Sequence, residues 1–200
     1  MNLEGAAVLE WPLARPMQTR SDWTEADLIA ACKAGRREGF EALVARHYDR
    51  ILRLAYAMAG PEAAADLAQE TFLAAVQSIG RFRGDSGLGT WLVSILRNQY
   101  FLYLRGQKKR RFAPLEGEAD RLPAPPADSI EPSVREVLDR VKELPEELRT
   151  ALVLFYVDGL SYEEIAQAME CPVGTVRSRL FAARERLKKL VSRTEAGGPA

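Results

Sequence analysis

The sequence is poor in the residues that build metal sites and disulfide frameworks. It has one histidine, His47, and two isolated cysteines, Cys32 and Cys171, with no second ligand close to either. Zinc sites and structural disulfides need sets of such residues, so we expect neither. Complete sets of nucleophile, general base and metal ligand are missing too, which predicts a protein that is not an enzyme and uses no cofactor or small-molecule substrate. His47 falls in a helical apolar pattern, so we expect it in the core or at its edge.

Long apolar runs and an excess of either charge are also absent. The longest apolar run, 151–157, is far shorter than the ~20 residues that a membrane-spanning helix needs. Glu4 and Glu10 stand where a secretion signal carries cations, so we expect a cytoplasmic protein. The chain has 28 basic and 28 acidic residues, and a nucleic-acid site therefore has to come from their uneven distribution.

Apolar residues recur with helical spacing on both sides of a proline-rich segment, and no strand pattern competes with them. We predict an all-α protein of two small helical domains, the second containing a helix-turn-helix. The segment between them is acidic and rich in proline, which is typical of a linker. The predicted parts are an extension over 1–22, a first domain over 23–112, the linker over 113–132, a second domain over 133–193 and a tail over 194–200.

Capping and stop residues divide the two domains into helices. We expect Thr24 to cap a short first helix, Gly60-Pro61 to end a long second one, and Thr90 to cap the fourth. Gly159 is expected to stop a helix in the second domain. After the long helix, the predicted helices span about 61–79, 90–110, 133–144, 145–157, 161–169 and 173–192.

The stretch GLSYEEIAQAMECPVGTVRSRL predicts the helix-turn-helix. Ser161 and Glu164 have the spacing of a capping box, the helix after them is about two turns long, and Pro172 belongs to the turn into the final helix. Apolar residues on the final helix repeat at steps of three and four and are expected to face the core. These residues are Val176, Leu180, Ala183 and Leu187.

The opposite face of the final helix carries residues suited to the major groove of DNA. Arginine can bond guanine with two hydrogen bonds, and an aromatic ring can contact the thymine methyl group. We expect base contacts from the first turns of the helix and phosphate contacts from Arg179, Arg184 and Lys188. The alternative is a solvated basic helix in an ordinary bundle. The face contains Thr175, Arg177, Ser178, Phe181 and Ala182.

The motif DLAQETF, at 66–72, lies in the third predicted helix. Helical spacing places Asp66, Gln69, Glu70 and Gln77 on one side. The other side, which can pack inward, contains Ala64, Leu67, Ala68, Thr71 and Ala75. From the residues alone this is an ordinary amphipathic helix with a solvated acidic face.

The motif FRGDSGLGTWL, at 82–92, precedes a helix in which aromatic, polar and cationic residues are interleaved. Asn98 and Arg105 can bond unpaired bases, and the cations 108–111 can hold phosphates. Two alternatives remain open: the aromatic residues belong to the core, or the cations only favour the dipole at the helix end. The aromatic residues that could stack on bases are Trp91, Tyr100, Phe101 and Tyr103.

Taken in order, DLAQETF, FRGDSGLGTWL and GLSYEEIAQAMECPVGTVRSRLFAARERL resemble bacterial RNA polymerase sigma factors of the extracytoplasmic-function (ECF) group. The envelope-stress sigma factors are the most similar, and the resemblance covers about 25–191. It implies a chain that binds core RNA polymerase, directs it to promoters and helps to melt the DNA. The implied partners are the β′ clamp helices and β flap of polymerase, promoter DNA and a cognate anti-sigma factor.

The resemblance also implies residue roles. Asp66, Gln69 and Glu70 would bind the clamp helices, and the linker would thread through polymerase, although a plain tether is equally compatible with its composition. The −10 element would be opened and read by Asp85, Ser86, Trp91, Asn98, Arg105, Lys108 and Lys109. The −35 element would be bound by Thr175, Arg177, Ser178, Arg179, Phe181 and Arg184.

Three positions depart from the family pattern. Leu102 stands where members often have aspartate, Gly106 where they have a second arginine, and Ala182 where they have a larger basic residue. The base preferences at both promoter elements are affected by these departures. The leading alternative function is a helix-turn-helix regulator with an N-terminal sensor or interaction domain, which would bind DNA without polymerase.

Overall fold

The computed structural model describes residues 23–110 and 132–196, with side chains left out at 108–110, 132–135 and 191–196. The described residues form α-helices and one short 3-10 turn, with no strand among them, which confirms the all-α prediction. They fall into two compact units, 23–110 and 132–196. The predicted extension over 1–22 and nearly all of the predicted linker lie outside the described residues.

The first unit contains four helices. Thr24 caps the first of them as predicted, because its Oγ1 accepts a hydrogen bond of 3.1 Å from the backbone N–H of Asp27. Gly60 separates the second and third helices with a φ of 90°, a conformation that favours glycine, and Pro61 opens the third. The helices are α1 (Glu25–Lys33), α2 (Arg37–Ala59), α3 (Pro61–Ser78) and α4 (Leu88–Arg110), with the 3-10 turn Ile79–Arg81 before α4.

The start of α4 differs from the prediction. Thr90 does not cap the helix: α4 begins at Leu88, and Thr90 is buried within its first turn. The backbone N–H of Leu88 instead donates a hydrogen bond of 3.1 Å to the Glu25 carboxylate of α1. A carboxylate at a helix N-terminus satisfies an otherwise unpaired N–H and interacts favourably with the helix dipole.

The core of the first unit lies where its four helices meet. Its largest fully buried side chains include Leu28, Leu43, Leu54, Met58 and Leu96. Complete burial of one such side chain contributes about 1.5–3 kcal/mol.

The second unit also contains four helices, and two of them form the predicted helix-turn-helix. Both hydrogen bonds of the Ser161–Glu164 capping box are present. The chain then turns through Glu170, which has a φ of 50°, into the final helix. The helices are α5 (Pro132–Lys142), α6 (Glu146–Tyr156), α7 (Tyr162–Ala168) and α8 (Val173–Ala196).

The final helix is longer than the sequence pattern predicts. It continues through Ala196 rather than ending near Ser192, because the first residues that disfavour a helix are Gly197 and Gly198. Residues 197–200 of the predicted tail lie outside the described residues. Within the described ranges, no helix is both long and apolar enough to cross a membrane.

Candidate functional sites

The outer face of α3 is polar in its first half, whereas its second half exposes two apolar residues beside Gln77. Asp66, Gln69 and Glu70 are exposed, as the amphipathic pattern predicts, and all the residues expected to face inward are buried. Leu73 and Val76, however, are 48% and 43% exposed. They lie three and six residues after Glu70, so helical spacing alone could have placed them on the same face. We call Asp66, Gln69, Glu70, Leu73 and Val76 the α3 face.

A short loop, 83–87, joins the 3-10 turn to α4. At its tip Asp85 is exposed and Ser86 is half-buried, while Gly84 has a φ of 81° that favours glycine. Both ends of the loop are fixed. Lys33 Nζ donates a hydrogen bond of 2.8 Å to the carbonyl of Phe82 at one end. At the other end, the Glu25 carboxylate accepts a hydrogen bond from the backbone N–H of Leu88.

His47 is half-buried at the edge of the core, as expected, beside Gly89 at the start of α4. Its pKa is lowered from 6.5 to about 4, mainly by burial and in addition by the neighbouring Arg50 and Arg46 guanidinium groups, against a smaller opposite effect of Glu25. Gly89, at the start of α4, leaves space for the Arg50 side chain, because a Cβ atom at position 89 would collide with that guanidinium group. His47 is therefore neutral at physiological pH and packed beside cations.

The aromatic residues of α4 are more buried than a base-stacking role requires. Tyr100 has no exposed surface, so of the two alternatives for this side chain the structure favours the core over base stacking: α4 has to bury one face against α2 and α3, and Tyr100 lies on it. Trp91 is half-buried, with its ring centroid 5.1 Å from that of Phe82. The ring of Phe101 is half-buried beneath the Arg97 guanidinium group, 5.0 Å from the ring centroid.

The outer face of α4 exposes a short polar and apolar stripe. Asn98, Leu102 and Arg105 are all exposed and follow each other at steps of four and three, which places them on one side of the helix. Leu102 is 53% exposed and forms an apolar gap between the two polar residues. Lys108 and Lys109 belong to α4, but their side chains lie outside the described part of the structure.

The first turns of α8 present the predicted DNA-facing residues. Arg177 and Ser178 are exposed, Thr175 is half-buried, and Phe181 is 67% exposed. The Ser178 hydroxyl donates a hydrogen bond of 2.9 Å to the carbonyl of Thr175. Of the expected core residues, Val176, Leu180 and Ala183 are buried and Leu187 is half-buried.

Two arginines that we expected to contact phosphates have partners within the protein. Arg179 forms an ion pair of 3.1 Å with Glu147 of α6. Arg184 donates a hydrogen bond of 3.0 Å from Nε to the Tyr156 hydroxyl, and its guanidinium carbon lies 5.6 Å from the Phe155 ring centroid. These contacts hold α8 against α6. Spacing within α8 could not reveal them, because the partners lie 28–32 residues away in the sequence.

The described residues include no group of three or more histidine, cysteine, aspartate or glutamate side chains placed to hold a metal ion.

Two family models match the chain, one in each unit. The model for Sigma-70 region 2 matches residues 43–110, which form most of the first unit. The model for Sigma-70 region 4 matches residues 135–187, which include the whole helix-turn-helix. An all-α chain with these two regions in this order is a sigma-70-type transcription initiation factor.

Curated relatives narrow the class. The ECF RNA polymerase sigma-E factor of Escherichia coli (strain K12) is 35% identical over 183 residues, covering 84% of this chain and 94% of the relative. The RNA polymerase sigma-H factor of Pseudomonas aeruginosa is 37% identical over 178 residues, covering 81% of this chain and 91% of the relative. The chain belongs to the ECF sigma factors, which bind core RNA polymerase and direct it to promoters. The sequence-based resemblance is confirmed.

Solved structures of sigma factors share the fold. CnrH, solved in complex with the cytosolic domain of CnrY, matches with a TM-score of 0.63 and 25% identity over 83% of this chain and 96% of that chain. The sigma factor RpoE of Bartonella quintana, solved with the anti-sigma factor NepR, matches with a TM-score of 0.62 and 26% identity. The match covers 76% of this chain and 96% of that chain. The alternative of a regulator with an unrelated N-terminal sensor domain is wrong, because the N-terminal unit is itself sigma region 2.

Proposed function

We propose that the α3 face is the main polymerase-binding surface and that Asp66, Gln69 and Glu70 contact the β′ clamp helices. The support is their joint exposure beside Leu73 and Val76. Protein interfaces combine an apolar centre with a polar rim, and this face offers both within three helical turns. In the same proposal, the second unit contacts the β flap.

For the −10 element, we propose that the loop 83–87 holds an unpaired base. Asp85 and Ser86 lie at the loop tip, and a flipped base is usually read by hydrogen bonds to its Watson–Crick edge. Trp91, which follows the loop, packs on Phe82, which precedes it, and its remaining exposed surface can meet a neighbouring base. Asn98 and Arg105 continue this surface along α4, and Lys108 and Lys109 extend it towards phosphates.

For the −35 element, we propose that α8 enters the major groove with Thr175, Arg177, Ser178 and Phe181 towards the bases. The observation that carries this proposal is that Arg177, Ser178 and Phe181 are exposed together on the first turns of the second helix of a helix-turn-helix. Arg179 and Arg184 remain predicted phosphate contacts. A guanidinium group has five donors, so a phosphate contact is compatible with their bonds to α6.

A run-off transcription assay tests the function directly. Core polymerase and this protein are incubated with a library of genomic fragments, and the 5′ ends of the transcripts are sequenced. We expect transcripts that depend on the added protein and that share two sequence elements, near −10 and −35. A protein that binds the fragments in the absence of polymerase but yields no dependent transcripts would contradict the proposal.

We also propose that an anti-sigma factor regulates this protein in the cytoplasm. The support comes from the two structural relatives, since RpoE was solved with the anti-sigma factor NepR and CnrH with the cytosolic domain of CnrY. The apolar end of the α3 face offers such a partner exposed area at Leu73 and Val76. The chain itself contributes no catalytic residue in this proposal, and the chemistry of RNA synthesis belongs to polymerase.

A further inference from the structure

Tyr162 lies between two arginines of α8 that have different roles. It is the first residue of α7 and follows the capping residue Ser161. The guanidinium carbon of Arg177 lies over the Tyr162 ring, 6.0 Å from its centroid. Tyr162 also interacts through its hydroxyl with Arg184, which donates a hydrogen bond to the Tyr156 hydroxyl. One aromatic side chain thus contacts both an exposed and a half-buried arginine.

The Tyr162 ring is fixed from the protein side. Its centroid lies 5.4 Å from that of Phe155, in a tilted arrangement that aromatic pairs favour. Partial burial alone would lower the pKa of Arg184, but the hydrogen bonds to the Tyr156 and Tyr162 hydroxyls outweigh this effect and raise it. The Tyr162 hydroxyl interacts with Arg184, and packing against Phe155 limits the freedom of the ring to turn away from Arg177.

A guanidinium group placed over an aromatic ring is well prepared to read a base. Stacking uses the face of the group and leaves the N–H donors, which point outward in its plane, available for two hydrogen bonds to guanine. An unsupported arginine loses considerable rotamer freedom when it binds, and a side chain ordered beforehand loses less. Support by Tyr162 should therefore increase the discrimination that Arg177 achieves between bases.

We propose that Tyr162 is a positioning residue for −35 recognition: its ring orders Arg177, and its hydroxyl is held by Arg184. The inference rests on the proposed reading of bases by Arg177. It differs from a phosphate contact, because a phosphate contact strengthens binding to every sequence alike, whereas positioning affects only the base that Arg177 reads.

The test is a double-mutant cycle on DNA binding. Tyr162→Leu removes the aromatic face, Tyr162→Phe keeps the ring and removes only the hydroxyl, and Arg177→Ala removes the reading group. Each protein is assembled with core polymerase. The cycle consists of wild type, Tyr162→Leu, Arg177→Ala and the double variant, and Tyr162→Phe is measured beside it. Binding is then measured on a promoter and on versions substituted at each −35 position, with the melting temperature recorded for each variant.

We expect Tyr162→Leu to reduce discrimination about two- to tenfold at the position that Arg177→Ala relaxes, and at no other. In the Arg177→Ala background the same substitution should change discrimination less than about 1.5-fold, because the group that Tyr162 orders is gone. Tyr162→Phe should keep most of the discrimination, since Arg177 still has its ring.

Several results would overturn the inference. An equal loss of affinity for all sequences after Tyr162→Leu, with discrimination unchanged, would make Tyr162 a phosphate contact. A loss of discrimination that persists in the Arg177→Ala background, or one that Tyr162→Phe reproduces in full, would exclude positioning through the ring. If Arg177→Ala itself relaxes no position, the proposed role of Arg177 fails together with the inference, whereas failure of Tyr162→Leu alone leaves that role intact.

Discussion

The two units support their proposed DNA-reading elements in different ways. In the second unit α8 is held from behind by side chains of α6, through the Arg179–Glu147 ion pair and the Arg184–Tyr156 hydrogen bond. In the first unit, hydrogen bonds from Lys33 and to Glu25 fix the two ends of the loop 83–87. A rigid helix suits the regular major groove of a duplex, whereas a loop fixed at its ends leaves space at the tip for a base that has left the stack.

Aromatic side chains show the same contrast. In the first unit Tyr100 is completely buried and Trp91 and Phe101 are half-buried, although the DNA that this unit is proposed to bind is single-stranded. The second unit exposes Phe181, although its proposed substrate is a duplex. An aromatic-rich segment therefore does not by itself identify a base-stacking surface, because the aromatic side chains of a helix can be buried when the helix packs against its neighbours.

The largest expected effect tests whether polymerase binding is centred on the first unit. Replacing both Asp66 and Glu70 with lysine should weaken association with core polymerase by about 2–4 kcal/mol, or roughly 30-fold or more. The reason is that two charges complementary to the polymerase surface become charges that it repels. Glu38→Lys on α2, which makes the same charge change as either single substitution, is the control for position, since Glu38 is exposed but lies outside the α3 face. Association is measured by fluorescence anisotropy of labelled protein, and the melting temperature should be unchanged.

Full association of the Asp66 and Glu70 variant with polymerase would place the main polymerase contact outside the α3 face. A matching loss with Glu38→Lys would mean that net charge, and not this face, governs association.

Sequence patterns were sufficient where the determining contacts are local. The exposed side of α3, the capping box of α7 and the buried side of α8 each depend on residues within four or five positions of one another, and the structure agrees with those predictions. Periodicity specifies such features because neighbouring turns of one helix set them.

Long-range contacts could not be predicted in the same way. The N–H of Leu88 at the start of α4 is bonded by Glu25, 63 residues earlier, and Arg184 is bonded by Tyr156, 28 residues earlier. The sequence indicated the charge of each group but not its partner. For that reason the sequence alone predicts Thr90 as a cap and Arg184 only as a phosphate contact.

The second expected effect separates the two reading elements. Arg177→Ala should cost about 1–3 kcal/mol on a preferred promoter and relax base preference only in the −35 element. Exchanging residues 85–87 for another loop sequence should change preference only in the −10 element. The exchange stops before Leu88, because that side chain is fully buried. Both variants are compared with wild type by selecting promoters from a randomised library in the presence of core polymerase.

The proposed separation of −10 and −35 recognition would be contradicted if the loop exchange changed the base preference in the −35 element. It would also be contradicted if Arg177→Ala changed the base preference in both elements equally. Ser192→Ala is a suitable control, because position 192 lies far along α8 from the first turns; both preferences should remain as in wild type.

The third expected effect uses the single histidine to distinguish the units. The His47 pKa is about 4 in the folded protein and ordinarily 6.5, so between these values the unfolded chain takes up a proton that the folded chain does not. The free energy of unfolding therefore has its full value above pH 6.5 and decreases as the pH falls towards 4. We expect a loss of about 1–2 kcal/mol between pH 6.5 and pH 5 in the first unit.

Tryptophan fluorescence during urea unfolding measures this effect selectively, because Trp11, Trp23 and Trp91 all precede the second unit. His47→Gln should flatten the dependence on pH. The second unit has no histidine, so unfolding followed at its own residues, for example with a label at Cys171 in a Cys32→Ser variant, should change little over the same range. A wild-type fluorescence midpoint that does not move between pH 6.5 and 5 would contradict the lowered His47 pKa.

The smallest expected effect concerns a helical glycine in each unit. Among the described residues, nothing beyond the chain neighbours and the local helix backbone lies within 4 Å of the place where a Cβ would lie at Gly106 in α4 or Gly174 in α8. Glycine inside a helix costs about 0.5–1 kcal/mol relative to alanine, so Gly106→Ala should stabilise the first unit by that amount. Gly174→Ala should do less, because Gly174 is in the first turn of its helix. Urea midpoints from tryptophan fluorescence report the first substitution, and circular dichroism reports both.

Gly39→Ala is the control of opposite sign for Gly106→Ala. A Cβ at position 39 would lie 2.8 Å from the Ala31 Cβ, where α1 and α2 pack closely. That crowding should destabilise the first unit by about 1–3 kcal/mol, so the same assay has to report opposite shifts for the two substitutions. A lower urea midpoint for Gly106→Ala would show that the end of α4 needs a glycine for contacts beyond those of its own helix. The departure from the family pattern at position 106 would then be a structural requirement of this chain.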